Sequence, residues 1–188
     1  MSVIPAFEIG AWNAWIFMIW LLIQNYGIRF FSKEIYQKAG GSSEVELNQS
    51  QKITGYTSIT LWLLTTVYSV FLPFKLGTIW FYIGLVIFLF GLIINIVVTV
   101  NFITTPIEEP VIKGVYRYSR HPMYLAMLLI YFSVGIASAS WIFLLATIIW
   151  LILIKLSVGD EERYCMEKYK DVYREYVNRT PRWVGIPK

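Results

Sequence analysis

Two short polar motifs in the apolar C-terminal half of this chain contain residues that could carry chemistry. The first, Arg120-His121-Pro122, holds the only histidine, and its proline stands where a long apolar run begins. Because proline is favoured at the first helical position, His121 is predicted near a helix N-cap, where free N–H groups and the helix dipole can bind a carboxylate or phosphate. Arg120 and Lys113 would add positive charge. A plainer interpretation stays open, in which Arg120 is an interfacial anchor and His121 only caps the helix.

The second motif is Glu161-Glu162, directly after the last apolar run. Acidic residues in the first turn of a helix complement its dipole, so they need no ligand. Alternatively, one of them receives an ammonium group or a ribose diol. Adjacent helical residues point in different directions, which argues against paired-carboxylate hydrolysis. Tyr116, Tyr118 and Tyr124 either form an aromatic belt or enclose an adenine ring or a sulfonium methyl.

The composition indicates a membrane protein. Of the 188 residues, 57% are hydrophobic and 15% are charged, whereas a soluble domain has roughly a quarter of its residues charged. The net charge of +4 comes from basic residues at the ends of apolar runs, a placement that favours membrane orientation over nucleic-acid binding. The single cysteine, Cys165, excludes an intrachain disulfide, and with one histidine a metal site is improbable.

The apolar runs predict an all-α integral membrane fold in one domain, residues 1–188, with about five transmembrane helices. The five predicted spans are Trp12–Ile28, Ile53–Phe74, Thr78–Val100, Pro122–Ala139 and Trp141–Val158. Ser32–Lys52 is predicted to be a loop with room for one helical turn, and Asn101–Arg120 a polar connector. The last two spans are joined by so few residues that they predict a tight hairpin. Residues 1–109 would then anchor the chain, and residues 110–188 would form the site. The N-terminus is not expected to be a cleaved signal peptide.

Two spacings predict how the helices pack. Cys165, Tyr169, Val172 and Tyr176 would share one face of an amphipathic helix between Asp160 and Val177, which would lie at the membrane surface or on the loop ahead of the hairpin. Gly84 and Gly91 are seven residues apart and would let two helices approach closely in lipid.

The basic residues predict the orientation. With five spans, the regions on one side carry four, three and eight Lys or Arg, whereas the other side has only Lys75. This bias predicts an outside N-terminus and a cytoplasmic C-terminus, with both polar motifs facing the cytoplasm.

The motifs together resemble a known family. Lys113-Gly114-Val115-Tyr116, Arg120-His121-Pro122-Met123-Tyr124, Glu161-Glu162 and the run Tyr169–Tyr176 are similar to the integral-membrane methyltransferases that include isoprenylcysteine carboxyl methyltransferases and phospholipid N-methyltransferases. The resemblance covers the chain from about Pro110 to the C-terminus.

The resemblance implies S-adenosyl-L-methionine as cofactor, held between the loop before the hairpin and the helix after it. It also implies methyl transfer to a lipophilic acceptor that reaches the site from the bilayer. No catalytic residue is implied. The expected cofactor-binding residues are Val111, Lys113, Gly114, Tyr116, Arg120, His121, Pro122, Tyr124, Glu161 and Glu162.

One position departs from the prenylcysteine branch, which has an arginine four residues before the first glutamate of the pair. Here that position is Ser157, with Lys155 two residues earlier. The connector also carries Glu108 and Glu109. These features argue against a prenylcysteine carboxylate and for an uncharged or cationic acceptor.

Two other functions stay open. Related helical folds with similar C-terminal motifs reduce sterols, and Arg120 with Lys113 could meet the phosphate of NADPH. A non-catalytic membrane scaffold is the third alternative. The chain has no Gly-x-Gly-x-x-Gly, P-loop, His-Glu-x-x-His or Gly-x-Ser-x-Gly motif, so a soluble dinucleotide-binding fold is not expected. The sequence does not determine the oligomeric state.

Overall fold

The computed structural model describes residues 7–31 and 48–187, with side chains at 28–31 left aside. Within these ranges the chain is all-helical and forms no named β-strand, which confirms the predicted all-α class. The helices are α1 (Trp15–Phe31), α2 (Gln49–Val70), α3 (Ile79–Thr104), α4 (Pro122–Ala137) and α5 (Trp141–Arg179), with a 3₁₀-helix at Gly114–Arg117.

The start of α2 corrects the predicted loop. A capping box begins the helix: Asn48 Oδ1 accepts from the Gln51 N–H at 2.9 Å, and Gln51 Oε1 accepts from the Asn48 N–H at 2.7 Å. The helix therefore starts four residues before Ile53, so the end of the predicted loop Ser32–Lys52 was wrong. The rest of that loop, residues 32–47, lies outside the described residues. At its other end α2 stops at Val70, before the predicted limit.

The predicted connector also begins too early. Helix α3 continues past Val100 to Thr104. The Thr104 hydroxyl donates to the Val100 carbonyl, and the Thr105 hydroxyl to the Asn101 carbonyl, both at 2.7 Å. These bonds help satisfy carbonyls in the last turns, which lack partners further along the helix. As a result, Asn101 belongs to α3.

The tight hairpin between α4 and α5 is confirmed. Only Ser138, Ala139 and Ser140 separate the helices. The Ser140 N–H donates to the Gly135 carbonyl at 2.8 Å, and its hydroxyl accepts from the Phe143 N–H at 3.2 Å as the N-cap of α5. Ala139 takes a left-handed conformation with φ of 52°. This compact turn sets α4 antiparallel to the start of α5.

The prediction of a separate amphipathic helix from Asp160 was wrong. Helix α5 continues without interruption from the apolar stretch 141–158 into the first part of the polar stretch that follows. Its break comes later, at Lys170, with φ of 48° and ψ of −124°. The break shifts the helical register, so Tyr173 and Tyr176 are buried and Val172 is exposed. Val172 therefore does not share the packed helix face of Cys165, Tyr169 and Tyr176, contrary to the prediction from the spacing.

Among the helices of the described residues, two, α3 and α5, are long and apolar enough to cross a membrane. Only 22% and 28% of their most apolar windows are buried, whereas a core helix of a soluble protein would be mostly buried. Side chains such as Ile83, Val86 and Phe90 are exposed on α3, as lipid-facing residues would be. The count of five spans and their orientation remain predictions.

The predicted role of the α3 glycines in packing is confirmed. A Cβ built on Gly84 would lie 2.6 Å from the Cβ and 2.7 Å from the backbone nitrogen of Ala137. At Gly91 it would lie 2.9 Å from the Leu129 Cβ. Since both partners belong to α4, the two glycines set the close α3–α4 approach that carries the start of α4 to its place.

Replacing Gly84 with alanine should lower the melting temperature of the purified protein in detergent, because overpacking typically costs about 1–3 kcal/mol. The matched change Gly55→Ala in α2 should not, because a Cβ there meets no atom within 4 Å and alanine favours the helix. Equal melting temperatures for the two variants would contradict this account of the α3–α4 contact.

Candidate functional site

The two polar motifs meet beside the start of α4. His121 occupies the N-cap and Pro122 the first helical position, but the histidine side chain makes no capping hydrogen bond. Its ring faces α5 instead, with Nε2 3.1 Å from Glu162 Oε1 and Nδ1 3.7 Å from Glu161 Oε2. The imidazole therefore lies between two carboxylates whose side chains leave the helix in different directions.

Glu162 is the centre of a buried ionic cluster. Only 4% of its side chain is exposed, and Arg120 Nε lies 3.1 Å from its Oε1. Arg182 contacts both oxygens, with Nε donating to Oε1 at 3.1 Å and a terminal nitrogen to Oε2 at 2.5 Å. Burial alone would raise the pKa of Glu162. The hydrogen bonds with His121 and Arg182 and the charge of Arg120 outweigh it and lower the pKa to about 2.

The C-terminal segment closes this cluster from outside. The Arg120 N–H donates to the Pro181 carbonyl at 3.1 Å, and the Gly185 N–H to the Tyr118 carbonyl at 3.0 Å. The Trp183 ring lies 6.1 Å from the His121 ring, centroid to centroid. These bonds hold the segment after α5 against the loop before α4.

Arg182 and Trp183 are site residues that sequence reasoning missed. They follow Pro181 beyond the end of α5, and their partners are about 20 and 60 positions away in the chain. The local sequence marks only the end of a helix. The one local feature that could have pointed to these residues is the adjacent arginine and tryptophan directly after Pro181.

Glu161 is arranged differently from its neighbour. About a third of its side chain, 35%, is exposed. The Tyr124 hydroxyl donates a hydrogen bond to Glu161 Oε1. Burial raises the pKa of Glu161 above the usual 4.5, against the opposing effects of Tyr124 and His121. Unlike Glu162, this carboxylate has no arginine partner among the ion pairs of the described residues, so it can accept a bond from a ligand.

Tyr176 fixes the loop before the hairpin. Its hydroxyl donates to the Tyr116 carbonyl at 2.7 Å and reaches the Ser119 carbonyl at 3.3 Å. Tyr116 and Tyr176 are buried with Val98 and Tyr173 in one cluster, against which Val111 also packs. Thus the helix after Asp160 packs on the loop ahead of the hairpin, one of the two predicted placements.

Tyr116 is buried on the loop that leads to α4. Burial raises the pKa of its hydroxyl, and the charges of Tyr176 and Glu161 raise it further. Tyr118, in contrast, is 57% exposed and does not enclose the site.

Asn101 is a further residue that sequence reasoning missed. Gly114 has φ of +63°, and any Cβ there would collide with the Asn101 amide, so the loop needs glycine at this point for both conformation and space. Asn101 Nδ2 is buried and has no hydrogen-bond partner among the described residues. A donor thus lies unused beside the loop.

The ten residues expected in the site fall into three groups by exposure. Tyr116, His121, Pro122 and Glu162 are buried; Val111, Arg120, Tyr124 and Glu161 are partly buried; Lys113 and Gly114 are exposed. The interfacial-anchor interpretation of Arg120 does not fit, because its guanidinium turns inward to Glu162.

The fold thus combines two helices of membrane-spanning length and composition with a buried polar cluster beside a helical hairpin. Residues 74–172 match the family model of the phospholipid methyltransferases. The match covers more than half of the chain, and the chain therefore belongs to the phospholipid methyltransferase family, as its resemblance to membrane methyltransferases predicts. No curated protein matches the chain. The matched segment contains Arg120-His121-Pro122 and Glu161-Glu162 but ends before Arg182.

Replacing Glu162 with glutamine should destabilise the protein by roughly 3–5 kcal/mol at neutral pH, because the Arg120 guanidinium stays buried without its counter-charge. In the wild type, the stabilisation from Glu162 is fully present above the unfolded pKa of about 4.5 and is lost as the pH falls toward the folded pKa of about 2. Melting temperatures measured from pH 7 to pH 2 should show this loss in the wild type only.

The control for Glu162→Gln is Glu175→Gln, which removes a carboxylate of the same helix that pairs with Arg179 on the surface. Such a pair contributes little to stability, about 0–1 kcal/mol. If Glu162→Gln melts no lower than Glu175→Gln at pH 7, the cluster does not hold the site together.

Proposed function

We propose that this protein transfers a methyl group from S-adenosyl-L-methionine to a lipophilic acceptor that reaches the site from the membrane. The observation that carries the proposal is the contrast between the two glutamates. The carboxylate of Glu162 is already paired within the buried cluster. The carboxylate of Glu161 is accessible beside Tyr124 and His121. Family membership supports methyl transfer as the reaction.

The residues present fit the groups of the cofactor. Its ammonium or ribose hydroxyls need an accessible anion, which Glu161 supplies. Its carboxylate needs N–H donors, and the first turn of α4 after Pro122 has N–H groups without partners in the helix. Asn101 Nδ2 adds an unused donor beside Gly114. Tyr116 and Tyr124 provide aromatic surface for the adenine or the sulfonium.

The remaining site residues hold this arrangement. Arg120 and Arg182 tie the loop and the C-terminal segment to Glu162, and Pro122 fixes the start of α4. We assign them to positioning, with Lys113 at the exposed rim. The protein has little covalent chemistry to perform, so the alignment of donor and acceptor can account for most of the acceleration.

When bound, the cofactor supplies a methyl group on a positively charged sulfur. That charge disappears on transfer, so apolar surroundings favour the reaction. Apolar residues packed around Tyr116, among them Ile94 and Val98 of α3, would provide such surroundings. We assign no residue as a catalytic base.

The position that distinguishes the prenylcysteine branch supports an acceptor without a carboxylate. The Ser157 hydroxyl donates to the Leu153 carbonyl of its own helix at 3.1 Å, and Lys155 is exposed. Neither therefore supplies a buried positive charge for a carboxylate. We favour an uncharged or cationic acceptor and place the site on the cytoplasmic side, where the Lys and Arg bias predicts it.

Replacing Glu161 with glutamine should weaken the binding of S-adenosylhomocysteine at least roughly tenfold, the effect of about 1.4 kcal/mol lost from a charged hydrogen bond. Isothermal titration of the purified protein in detergent measures this change. The melting temperature without ligand should stay near that of the wild type, because Glu161 is not part of the buried cluster.

Glu167→Gln is the matched control for Glu161→Gln, since Glu167 is exposed on the same helix. It should bind S-adenosylhomocysteine as the wild type does. Equal affinity of the two variants for S-adenosylhomocysteine would show that Glu161 does not contact the cofactor. Binding of NADPH by the wild type without binding of S-adenosylhomocysteine would overturn the proposal in favour of a reductase.

A further inference from the structure

The segment after α5, residues 180–187, has an inward and an outward side, and this segment is the C-terminal strap. On the inward side the Trp183 ring packs against the apolar core, and Gly185 is partly buried. On the outward side, Val184 and Ile186 are 75% and 87% exposed. The side chains alternate along the strap, so its outward side is apolar although it is exposed.

The strap lies beside a loop that adds positive charge. The Gly185 N–H donates to the Tyr118 carbonyl at 3.0 Å, and the Tyr118 side chain is itself 57% exposed. Residues 110–120 and 180–187 contain four Lys or Arg and no Asp or Glu. Three of these four basic residues are exposed: Lys113, Arg117 and Arg182. The loop and the strap together present apolar side chains next to positive charge.

The level of this surface along α3 is set by the contact between Gly114 of the loop and the Asn101 amide near the end of that helix. On the same part of α3, Val100 and Ile103 are 47% and 41% exposed. Apolar side chains suited to lipid thus continue along α3 as far as the loop. Since α3 is long and apolar enough to cross a membrane, the loop and the strap would lie where the hydrocarbon meets the head groups.

We propose that the C-terminal strap docks on the anionic lipid head groups of the membrane that α3 crosses. Val184 and Ile186 enter the apolar side of the interface, and the exposed basic residues meet the lipid phosphates. Amphipathic segments bind membranes in this way, through buried apolar area together with attraction to anionic lipids. Docking also keeps the strap closed over the buried cluster, because its inward side carries Trp183 on the core and Arg182 bound to Glu162.

Amide hydrogen exchange at Gly185 reports whether the strap is closed, because that N–H is bonded to the loop. The full chain is placed in nanodiscs of equal parts phosphatidylcholine and phosphatidylglycerol, without cofactor. Protection is expressed relative to the intrinsic exchange rate of each sequence. The double variant Val184→Ser/Ile186→Ser should show at least roughly tenfold less protection at Gly185 than the wild type, the equivalent of about 1.4 kcal/mol.

Ile9→Ser is the matched control, since Ile9 is 80% exposed but lies at the other end of the fold. Its neighbour Glu8 donates from its N–H to the Phe71 carbonyl, in the turn between α2 and α3. This control should keep the wild-type protection at Gly185. Equal protection in the wild type and in the double variant would overturn the inference, because the outward side chains would then not hold the strap.

The lipid composition tests the class of the partner. In nanodiscs of phosphatidylcholine alone, the wild-type protection at Gly185 should fall roughly fivefold, the equivalent of about 1 kcal/mol for one basic residue at an anionic surface. Equal protection in the two compositions would overturn an anionic lipid as partner. Protection that appears only with two copies per nanodisc would overturn it in favour of a second copy of this chain. Neither result bears on the proposed methyl transfer, because no cofactor is present.

Discussion

The buried carboxylate of Glu162 is the constraint on which the rest of the site depends. A charge this deeply buried is tolerated only with partners, and its partners come from three places in the chain. Arg120 and His121 belong to the end of the loop before α4, and Arg182 to the segment after α5. Satisfying one carboxylate therefore fixes the loop, the hairpin and the C-terminal segment relative to one another.

The same constraint separates the roles of two neighbouring residues. On an α-helix, consecutive side chains project about 100° apart, so Glu161 and Glu162 reach opposite sides of the His121 ring. One carboxylate is neutralised within the fold, and the other stays accessible to a ligand. Two adjacent glutamates thus differ in role: Glu162 supports the site, and Glu161 is the proposed contact group for the cofactor.

Features set by nearby residues could be predicted from the sequence. Pro122 at the start of an apolar run located the N-terminus of α4, and the short Ser138–Ser140 segment predicted the hairpin. Features set by distant residues could not. The break at Lys170 shifts Tyr173 and Tyr176 toward the loop, and the contact of Arg182 with Glu162 depends on how the segment after α5 folds back. Periodicity carries no information on such long-range contacts, which is why the helix stripe failed at Val172.

Membership of the phospholipid methyltransferase family and the arrangement around Glu161 lead to one central claim, that this site transfers a methyl group from S-adenosyl-L-methionine to a lipid-soluble molecule. The most direct measurement incubates purified protein with methyl-labelled cofactor and membrane lipids, and follows label in the organic phase. Time-dependent label is expected with the wild type, and a large loss of label is expected with Glu161→Gln. No label above background with the wild type, or equal label with the variant, would contradict this claim.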